Sequence, residues 1–394
     1  MTLDSNAVYD VVIIGAGPAG GSAAIQCAKN GLKTLILEEH ASIGEPVHCG
    51  ECLSEMAEIR TKIKFPKEVI ARPVKGVSVI FPDGHAVKLT ESGYVLEKHL
   101  FEKWLVGEAQ NAGSEISLST KVLGLAREKN TWNVQTTQGE VKAKLILDGS
   151  GAAGIANRLL KMNERFKVTT GIQYEMLDIP NEDYLDFYLW PRLAPEGYCW
   201  MIPKNDGRAN VGLVTHDVPN AKKYLDQFVK KMKWENKKIV KTFGGPIPCS
   251  GPVKNTHGDG ILLIGDAAGF TSPLFEGGTQ LGLVSGRMAA DVAKESITQN
   301  RLDKEFLSIY EKKWRNEFPS YDKIIKGKKA LYGFTDDELS RIGHLMPDEL
   351  SNLSKFDKAK VGFNVLYRNH DLYKKGVVDA FLAFGYSRAT HYGW

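Results

Sequence analysis

Along the first forty residues the apolar positions fall into three blocks. Tyr9 to Ile14 is a nearly unbroken apolar run rich in β-branched residues, the pattern of a strand buried on both faces. Gly15, Gly17 and Gly20 follow in G-x-G-x-x-G spacing, and an Ala-rich stretch from Gly21 to Lys29 then predicts a helix closed by Gly31. Leu32 to Leu37 predicts a second strand, which ends at Glu38 and Glu39. Strand, glycine turn, helix, strand and acid together make a dinucleotide-binding unit. In such a unit Gly15 permits the tight turn, Gly17 lets backbone N–H groups approach a pyrophosphate, and Gly20 lets helix and strand pack closely. The helix start, around Ala19, turns its positive dipole end to the phosphates, while Glu38 accepts from ribose hydroxyls.

Further along, His40 to Ser54 predicts a long loop, a length that in a compact domain is usually functional. Alternating segments at Gly76–Phe81 and Ala86–Leu89, joined by Pro82-Asp-Gly84, predict a hairpin. The stretch after Gly93 starts extended and becomes an amphipathic helix with Leu100, Trp104 and Leu105 on one face. Strands are expected near Ile116–Ser119, Val122–Arg127, Trp132–Thr137 and Lys144–Asp148, the last running into a glycine turn. Between 166 and 255 the pattern changes to short aromatic-spaced strands, Thr169–Met176, Asp186–Leu189, Tyr198–Ile202 and Ala209–Val214, interrupted by a basic helix from Ala221 to Lys241. Gly260–Gly269 then restores a buried strand ending in Gly265-Asp266, followed by a helix from near Gly278. Helices rich in Lys and aromatics fill the chain beyond Asp303.

The fold class is α/β (α+β overall). A Rossmann-type nucleotide domain is assembled from residues 1–72, 94–165 and 256–300. An antiparallel-sheet substrate domain comes from 73–93 and 166–255, and 301–394 form a C-terminal, mostly helical region. A charge balance of +4 is too slight for a nucleic-acid binder. No apolar run reaches the roughly 20 residues of a membrane helix, and no leader pattern precedes the first strand. Five cysteines without framework spacing point to a reducing, cytoplasmic setting.

Three distant segments carry glycine and acid at strand ends: Gly15–Gly20, Asp148-Gly149 and Gly265-Asp266. Asp266, after a buried strand and before a helix, suits a ribityl hydroxyl, and an N-cap role is its structural alternative. A nicotinamide site needs no second and third fingerprint, so the set points to a flavin dinucleotide. In this order the chain resembles FAD-dependent enzymes of the p-hydroxybenzoate hydroxylase fold. Within them it is most similar to the geranylgeranyl reductases, in particular the archaeal digeranylgeranylglycerophospholipid reductases. The matching segments are Pro46-Val-His-Cys-Gly-Glu51, Gly93-Tyr-Val-Leu-Glu97, Asp186-Phe-Tyr-Leu189, Pro195-x-Gly-Tyr-Cys-Trp-Met-Ile-Pro203, Ala209-Asn-Val-Gly212 and Leu263-Ile-Gly-Asp-Ala-Ala268. Pro273, Gly277-Gly278 and Ser285-Gly286 extend the match.

That resemblance implies FAD, held additionally by Cys49, Gly50, Lys98, Pro273, Gly277 and Gly278, and hydrogenation of isolated double bonds in C20 isoprenoid chains, on archaeal ether phospholipid precursors. An unactivated alkene is a poor hydride acceptor, so a rigid apolar tunnel must position it. Phe187, Tyr188, Tyr198, Trp200 and Ile202, with Met201 beside them, are residues able to build one. Plain sheet packing is the alternative at each, since strand alternation sends only every second residue inward. Cys49 is the catalytic candidate that the resemblance implies, supplying a proton or shaping the cofactor face. Cys52 completes a C-x-x-C, which allows either a reversible disulfide or two reduced loop thiols. No second C-x-x-C is present, so no metal site is expected.

Three departures stand out. Lys98 replaces a usual Arg and keeps the charge but not the fork. Ala152 stands where the hydroxylases carry a nicotinamide-contacting serine, which favours reduced ferredoxin or a similar external donor over NADPH. Glu276 replaces a glycine in the stretch before the last cofactor helix. Basic segments at Lys230–Lys238 and Lys323–Lys329 are either solvated helix faces or an attraction to anionic headgroups, and the second reading makes the protein a peripheral membrane enzyme. Two rival functions remain open. One is an NADPH-dependent monooxygenase of an aromatic or polyprenyl-quinone substrate, and the other is an electron-transfer flavoprotein.

Overall fold

The computed structural model describes every residue except 1, 2, 4–6, 48, 181, 352, 353, 390 and 392–394, and leaves out the side chains of 355–360. At its centre Val8–Ile14 pairs in parallel with Thr34–Leu37 on one side and Gly139–Asp148 on the other. Glu115–Ser117 and Ile261–Leu263 extend this parallel sheet outward. Val11 to Ile14 are at most 4% exposed, as a parallel strand covered on both faces requires. Helices Pro18–Lys29 and Thr279–Thr298 cross closely on one face, where a Cβ on Gly286 would stand 2.2 Å from the Ala19 carbonyl oxygen. Ser22 Oγ donates to Leu283 O at 2.7 Å across the same crossing. An antiparallel ribbon, Val122–Glu128 and Thr131–Thr136, hangs from the long strand Gly139–Asp148.

A second sheet runs in the order Ile239–Pro248, Val168–Met176, Ala209–Thr215, Tyr198–Pro203, Tyr184–Tyr188, Gly76–Ile80, Ala86–Leu89. It is antiparallel except where Tyr184–Tyr188 lies parallel to Gly76–Ile80, because the hairpin enters from a separate piece of chain. Helix Ala221–Lys231 covers one face through Leu225 and Phe228, which pack on Tyr174, Tyr188, Met201 and Leu213. The opposite face carries Phe187, Tyr198, Trp200 and Ile202, and these belong to the core of the nucleotide domain. A small sheet of Cys52–Ser54, Gly93–Leu96 and Ile70–Val74 bridges the two.

The basic helix ends ten residues earlier than its expected Lys241. The chain turns at Lys233, whose φ is +60°, folds Trp234 back onto Val229 (N to O 3.0 Å), and continues as the edge strand Ile239–Pro248. Lys230–Lys238 is therefore a helix end and a turn rather than one helix face. Beyond Asp303 six helices follow among the described residues, Lys304–Glu317, Tyr321–Leu331, Asp336–Leu345, Lys355–Arg368, His370–Lys374 and Val377–Tyr386. Gly327 lets the second and last of them touch, since a Cβ there would meet Asp379 O at 2.3 Å. The region leans on the hairpin of the second sheet, with His85 stacked on His344 at 4.4 Å.

Candidate active site

The glycine turn meets the geometry that its spacing implies. Gly15 has φ +94°, and a Cβ on it would stand 2.6 Å from Gly149 O. One on Gly20 would stand 2.0 Å from Gly15 O, so helix and strand touch there. A Cβ on Gly17 would meet nothing within 4 Å, because Gly17 faces an open cleft at the start of the helix. That cleft, of about 270 Å³, gathers Gly15, Gly17, Glu38, Glu39, Cys49, Lys98 and Gly149. Glu38 Oε2 accepts from Ala16 N at 2.8 Å, while Oε1 accepts from His40 N at 2.9 Å and contacts His40 Nδ1 at 2.6 Å. A carboxylate offers about four acceptor positions, so Oε2 keeps one for a ribose hydroxyl. Glu39 pairs with Lys121 at 2.7 Å, and that contact holds its carboxyl below the usual range.

Several expected cofactor residues lie outside the cleft. Ala19 is buried where the two helices cross. Asp148 is fully buried, and its carboxylate accepts from Ser150 N (3.1 Å) and Ala156 N (2.8 Å), tying down the turn that carries Gly149. It ties down the cradle from within the core, where none of its surface is exposed. Asp266 sits in the short turn Gly265–Ala268 and caps no helix. Its Oδ1 accepts from Thr271 Oγ1 at 2.9 Å, and Oδ2 has no protein donor among the described residues. Pro273, Gly277 and Gly278 form the loop that leads from it into helix Thr279–Thr298.

The loop bearing Cys49 is gripped from the second sheet. Gln173 Nε2 donates to Cys49 O at 2.8 Å, and Trp200 Nε1 donates to Gln173 Oε1 at 3.1 Å. Asn210 Nδ2 reaches Gly50 O at 3.4 Å and Glu51 Oε2 at 2.7 Å. Glu51 itself has φ +73° and a side chain only 2% exposed; Lys204 Nζ meets its Oε2 at 2.8 Å and Glu97 Oε2 at 3.0 Å. Arg208 completes the cluster at 2.6 Å from Glu97 Oε1. This ionic clamp was not legible in the sequence, because Lys204 and Glu51 lie 153 positions apart. The one signal was a lysine directly after the apolar strand ending at Pro203. His48, inside the matching segment, lies outside the described residues.

Cys49 Sγ accepts from Glu51 N at 3.2 Å. Burial pushes its thiol up, with Lys98 pulling the other way, so at neutral pH it carries its proton. Cys52 is a free thiol too, pushed by burial up to about 12. Lys98 is buried against Glu102. Burial opposes its charge, but the Glu102 carboxylate outweighs that and raises it.

Phe187, Tyr198 and Trp200 form an aromatic wall facing the cofactor loop, with ring centroids 5.3 Å and 5.7 Å apart in sequence. Phe275 joins it at 5.4 Å from both Phe187 and Tyr198, whose hydroxyl donates to Phe275 O at 2.7 Å. Ile202 Cδ1 packs on Gly50. Tyr188 does not belong to this wall. Strand alternation turns it to the far face, where it packs at 5.1 Å from Phe228 under the covering helix.

Residues 10–158 match a family of FAD-dependent oxidoreductases, and 167–247 match the geranylgeranyl reductase catalytic domain. The chain is 35% identical to a digeranylgeranylglycerophospholipid reductase of Methanocaldococcus jannaschii over 90% of its own length and 95% of that protein's. It is 32% identical to a second such reductase, of Methanopyrus kandleri, over 93% and 98%. A geranylgeranyl bacteriochlorophyll reductase-like protein from Thermoplasma acidophilum superposes with a TM-score of 0.85 at 29% identity, covering 94% of this chain and 99% of that one. A halogenase crystallised with FAD shares the fold alone, at 18% identity and a TM-score of 0.71 over 95% and 86%. The open Gly17, the unbonded Asp266 Oδ2 and the free acceptor position on Glu38 fit a flavin dinucleotide.

Proposed function

The chain belongs to the geranylgeranyl reductase family of FAD-dependent oxidoreductases, and on that premise we propose that it saturates the isoprenoid double bonds of geranylgeranyl chains on an archaeal ether phospholipid precursor. The observation that carries this reading is the aromatic wall of Phe187, Tyr198, Trp200 and Phe275, set between the second sheet and the cofactor loop beside the clamped Cys49. An apolar chain lying on that wall needs no hydrogen bonds, and the wall keeps water from it. FAD, when bound by the glycine cradle, Glu38 and Asp266, supplies the hydride.

The protein supplies position and a proton. The Gln173 and Asn210 contacts fix the backbone of Cys49 and Gly50, so the Sγ proton is held at one place beside the cleft. Lys204 keeps Glu51 in its left-handed conformation, without which that loop would relax away. Ala152, in the turn Gly151–Ala153, offers no hydroxyl for a nicotinamide, which favours reduced ferredoxin or a similar donor. No described helix is long and apolar enough to cross a membrane. The enzyme works in a reducing, cytoplasmic setting and meets its lipid at the membrane surface.

The test uses holoenzyme reduced chemically without oxygen and mixed with digeranylgeranylglycerophospholipid, followed by mass spectrometry. Stepwise gain of hydrogen pairs is the expected result. An untouched lipid, with hydroxylated product appearing from a quinone or aromatic compound given NADPH and oxygen, would replace this reading with a monooxygenase.

A further inference from the structure

The lysines of this chain are unevenly spread. From Lys222 to Lys241 stand eight lysines and two acids, Asp226 and Glu235, a surplus of six against +4 for the whole protein. Every one of these lysines except Lys237 is exposed. Among the described residues only Lys222 is held in an ion pair, with Asp226 at 2.8 Å. The end of helix Ala221–Lys231, the turn at Lys233 and the start of the edge strand Ile239–Pro248 gather Lys230 to Lys241 into one basic corner of the second sheet.

The edge strand carries this corner to the cofactor site. It pairs with Val168–Met176, which sets Lys241 opposite Glu175 and Phe243 opposite Gln173. Directly opposed residues share one face of a sheet, and Gln173 is the residue that donates to Cys49 O. Lys241 and the half-buried Phe243 therefore stand on the side of the Cys49 loop. Phe243, Gly244 and Gly245 line a gap of about 40 Å³ together with Cys49 and Gly50. At the cleft itself Lys103 meets Glu45 at 3.1 Å and holds that carboxyl below its ordinary range, with His99 and Lys241 adding to the pull.

The two edges of the second sheet differ. The hairpin edge is covered by the C-terminal region, where Lys88 N donates to Asp348 O at 2.7 Å and Leu350 N to Lys88 O at 2.9 Å. Ile239–Pro248 pairs with no further strand among the described residues. Its open N–H and C=O groups suit water or a protein partner and are costly in hydrocarbon. Ile239 and Val240 are 46% and 43% exposed there, a small apolar spot inside a charged surround. Such a surface fits a brief protein encounter steered by opposite charge.

Resting on the reductase reading, we propose that this basic edge docks an acidic electron-carrier protein, which passes electrons to the bound FAD by way of Phe243 and the Cys49 loop. Each double bond saturated consumes two electrons and two protons. A one-electron carrier therefore docks twice per double bond and leaves oxidised each time, while the protons come from water. The carrier approaches at one edge of the sheet, and the C-terminal helices at the other edge stay out of its way.

The test uses full-length holoenzyme and follows the FAD spectrum on mixing with a reduced acidic ferredoxin or a reduced acidic flavodoxin. Affinity for the immobilised oxidised carriers is measured alongside. One variant combines Lys231→Glu, Lys238→Glu and Lys241→Glu, and a milder one carries Gln at the same positions in case reversal disturbs the fold. A control combines Lys29→Glu, Lys294→Glu and Lys312→Glu, the same change of net charge on exposed lysines of other helices. Wild-type FAD reduction should slow steeply between about 10 mM and about 150 mM salt, as the screening length shrinks from about 30 Å to about 8 Å. At low salt the reversed variant should lose about tenfold or more in rate and affinity, the Gln variant less, and the control nothing. All of them, once reduced chemically, should saturate geranylgeranyl lipid at the wild-type rate. An equal loss in the control overturns the docking edge, as does a wild type that ignores salt or takes electrons from neither carrier. So does a reversed variant that accepts electrons as wild type does but no longer sediments with phosphatidylglycerol vesicles, which would make the corner a membrane contact. Chemically reduced wild type that leaves the lipid untouched, while carrier-driven FAD reduction still depends on the corner, would instead sink the reductase reading and leave the docking edge standing.

Discussion

Lys328 Nζ lies 3.0 Å from Glu276 Oε1, with the two side chains only 12% and 4% exposed. The pair joins helix Tyr321–Leu331 of the C-terminal region to the loop that leads into the cofactor helix. Glu276 holds φ +52°, a conformation that favours glycine, and its Oε2 is buried without a hydrogen-bond partner. Burial pushes its carboxyl up to about 7, against the opposing pull of Lys328.

Between the ordinary carboxylate range and about pH 7, the native state therefore holds a proton that the unfolded chain has released. Stability from this group is complete below that range and lost as pH rises through about 7, a change on the order of 3 kcal/mol. Urea unfolding from pH 5 to 8 should show stability falling as pH rises, and Glu276→Gln should flatten that slope. An identical slope in the variant would mean that another group carries it.

Lys204 faces three carboxylates, Glu51, Glu97 and Glu175, at 2.8, 3.0 and 3.8 Å, and its own side chain is 2% exposed. Lys204→Met removes the central cation and leaves buried charge behind, which should cost about 3–5 kcal/mol. It should also free the Cys49 loop, so FAD release on dilution should speed up even where the protein stays folded. Lys204→Arg, keeping the charge, should recover part of the stability. A Met variant with wild-type urea midpoint and FAD retention would show that the clamp is not needed.

Cys49 carries a thiol raised by burial, so its alkylation by iodoacetamide should keep accelerating with pH beyond the ordinary thiol range near 8.5. Cys49→Ser should lower reduction of the lipid about a hundredfold, the scale of a lost proton donor, with the flavin spectrum unchanged. Cys52→Ser should leave the rate as it is in both oxidising and reducing buffers, because both cysteines are free thiols here. A rate for Cys52→Ser that no longer responds to oxidant, where the wild type does, would establish the disulfide switch.

The nucleotide cradle was readable from the sequence because each of its demands is local. A turn at Gly15, a helix start at Gly17 and a strand end at Glu38 lie within thirty residues and impose residue types one by one. The aromatic wall was readable only by halves. Phe187, Tyr198, Trp200 and Ile202 face the site, but the segment containing Tyr188 gave no phase, and only pairing of Phe187 with Trp200 settles which side is inward. Phe275 entered the wall because its loop returns from far along the chain. The Lys204 clamp and the Glu276–Lys328 pair were hidden for the same reason, as each joins residues that only the tertiary fold brings together. The end of the basic helix was missed because a lysine-rich stretch continues across it, and Trp234, the residue that folds back, looks like any other helical aromatic.

Gly17 and Gly20 stand three residues apart and should fail in opposite ways. A Cβ on Gly20 would press to 2.0 Å from Gly15 O, which is backbone and has no room to move. Gly20→Ala should therefore destabilise the apoprotein by about 1–3 kcal/mol or more, as overpacking does. A Cβ on Gly17 meets no protein atom within 4 Å, so Gly17→Ala should leave apoprotein stability within about 0.5 kcal/mol of wild type. Its methyl group would instead project into the cleft where the pyrophosphate approaches the backbone, and FAD affinity should drop about tenfold or more. Thermal unfolding of the apoprotein and FAD titration by fluorescence quenching separate the two effects. Equal loss of FAD affinity without loss of apoprotein stability in both variants would place the close contact at Gly20 in error, and unchanged affinity in Gly17→Ala would move the pyrophosphate elsewhere.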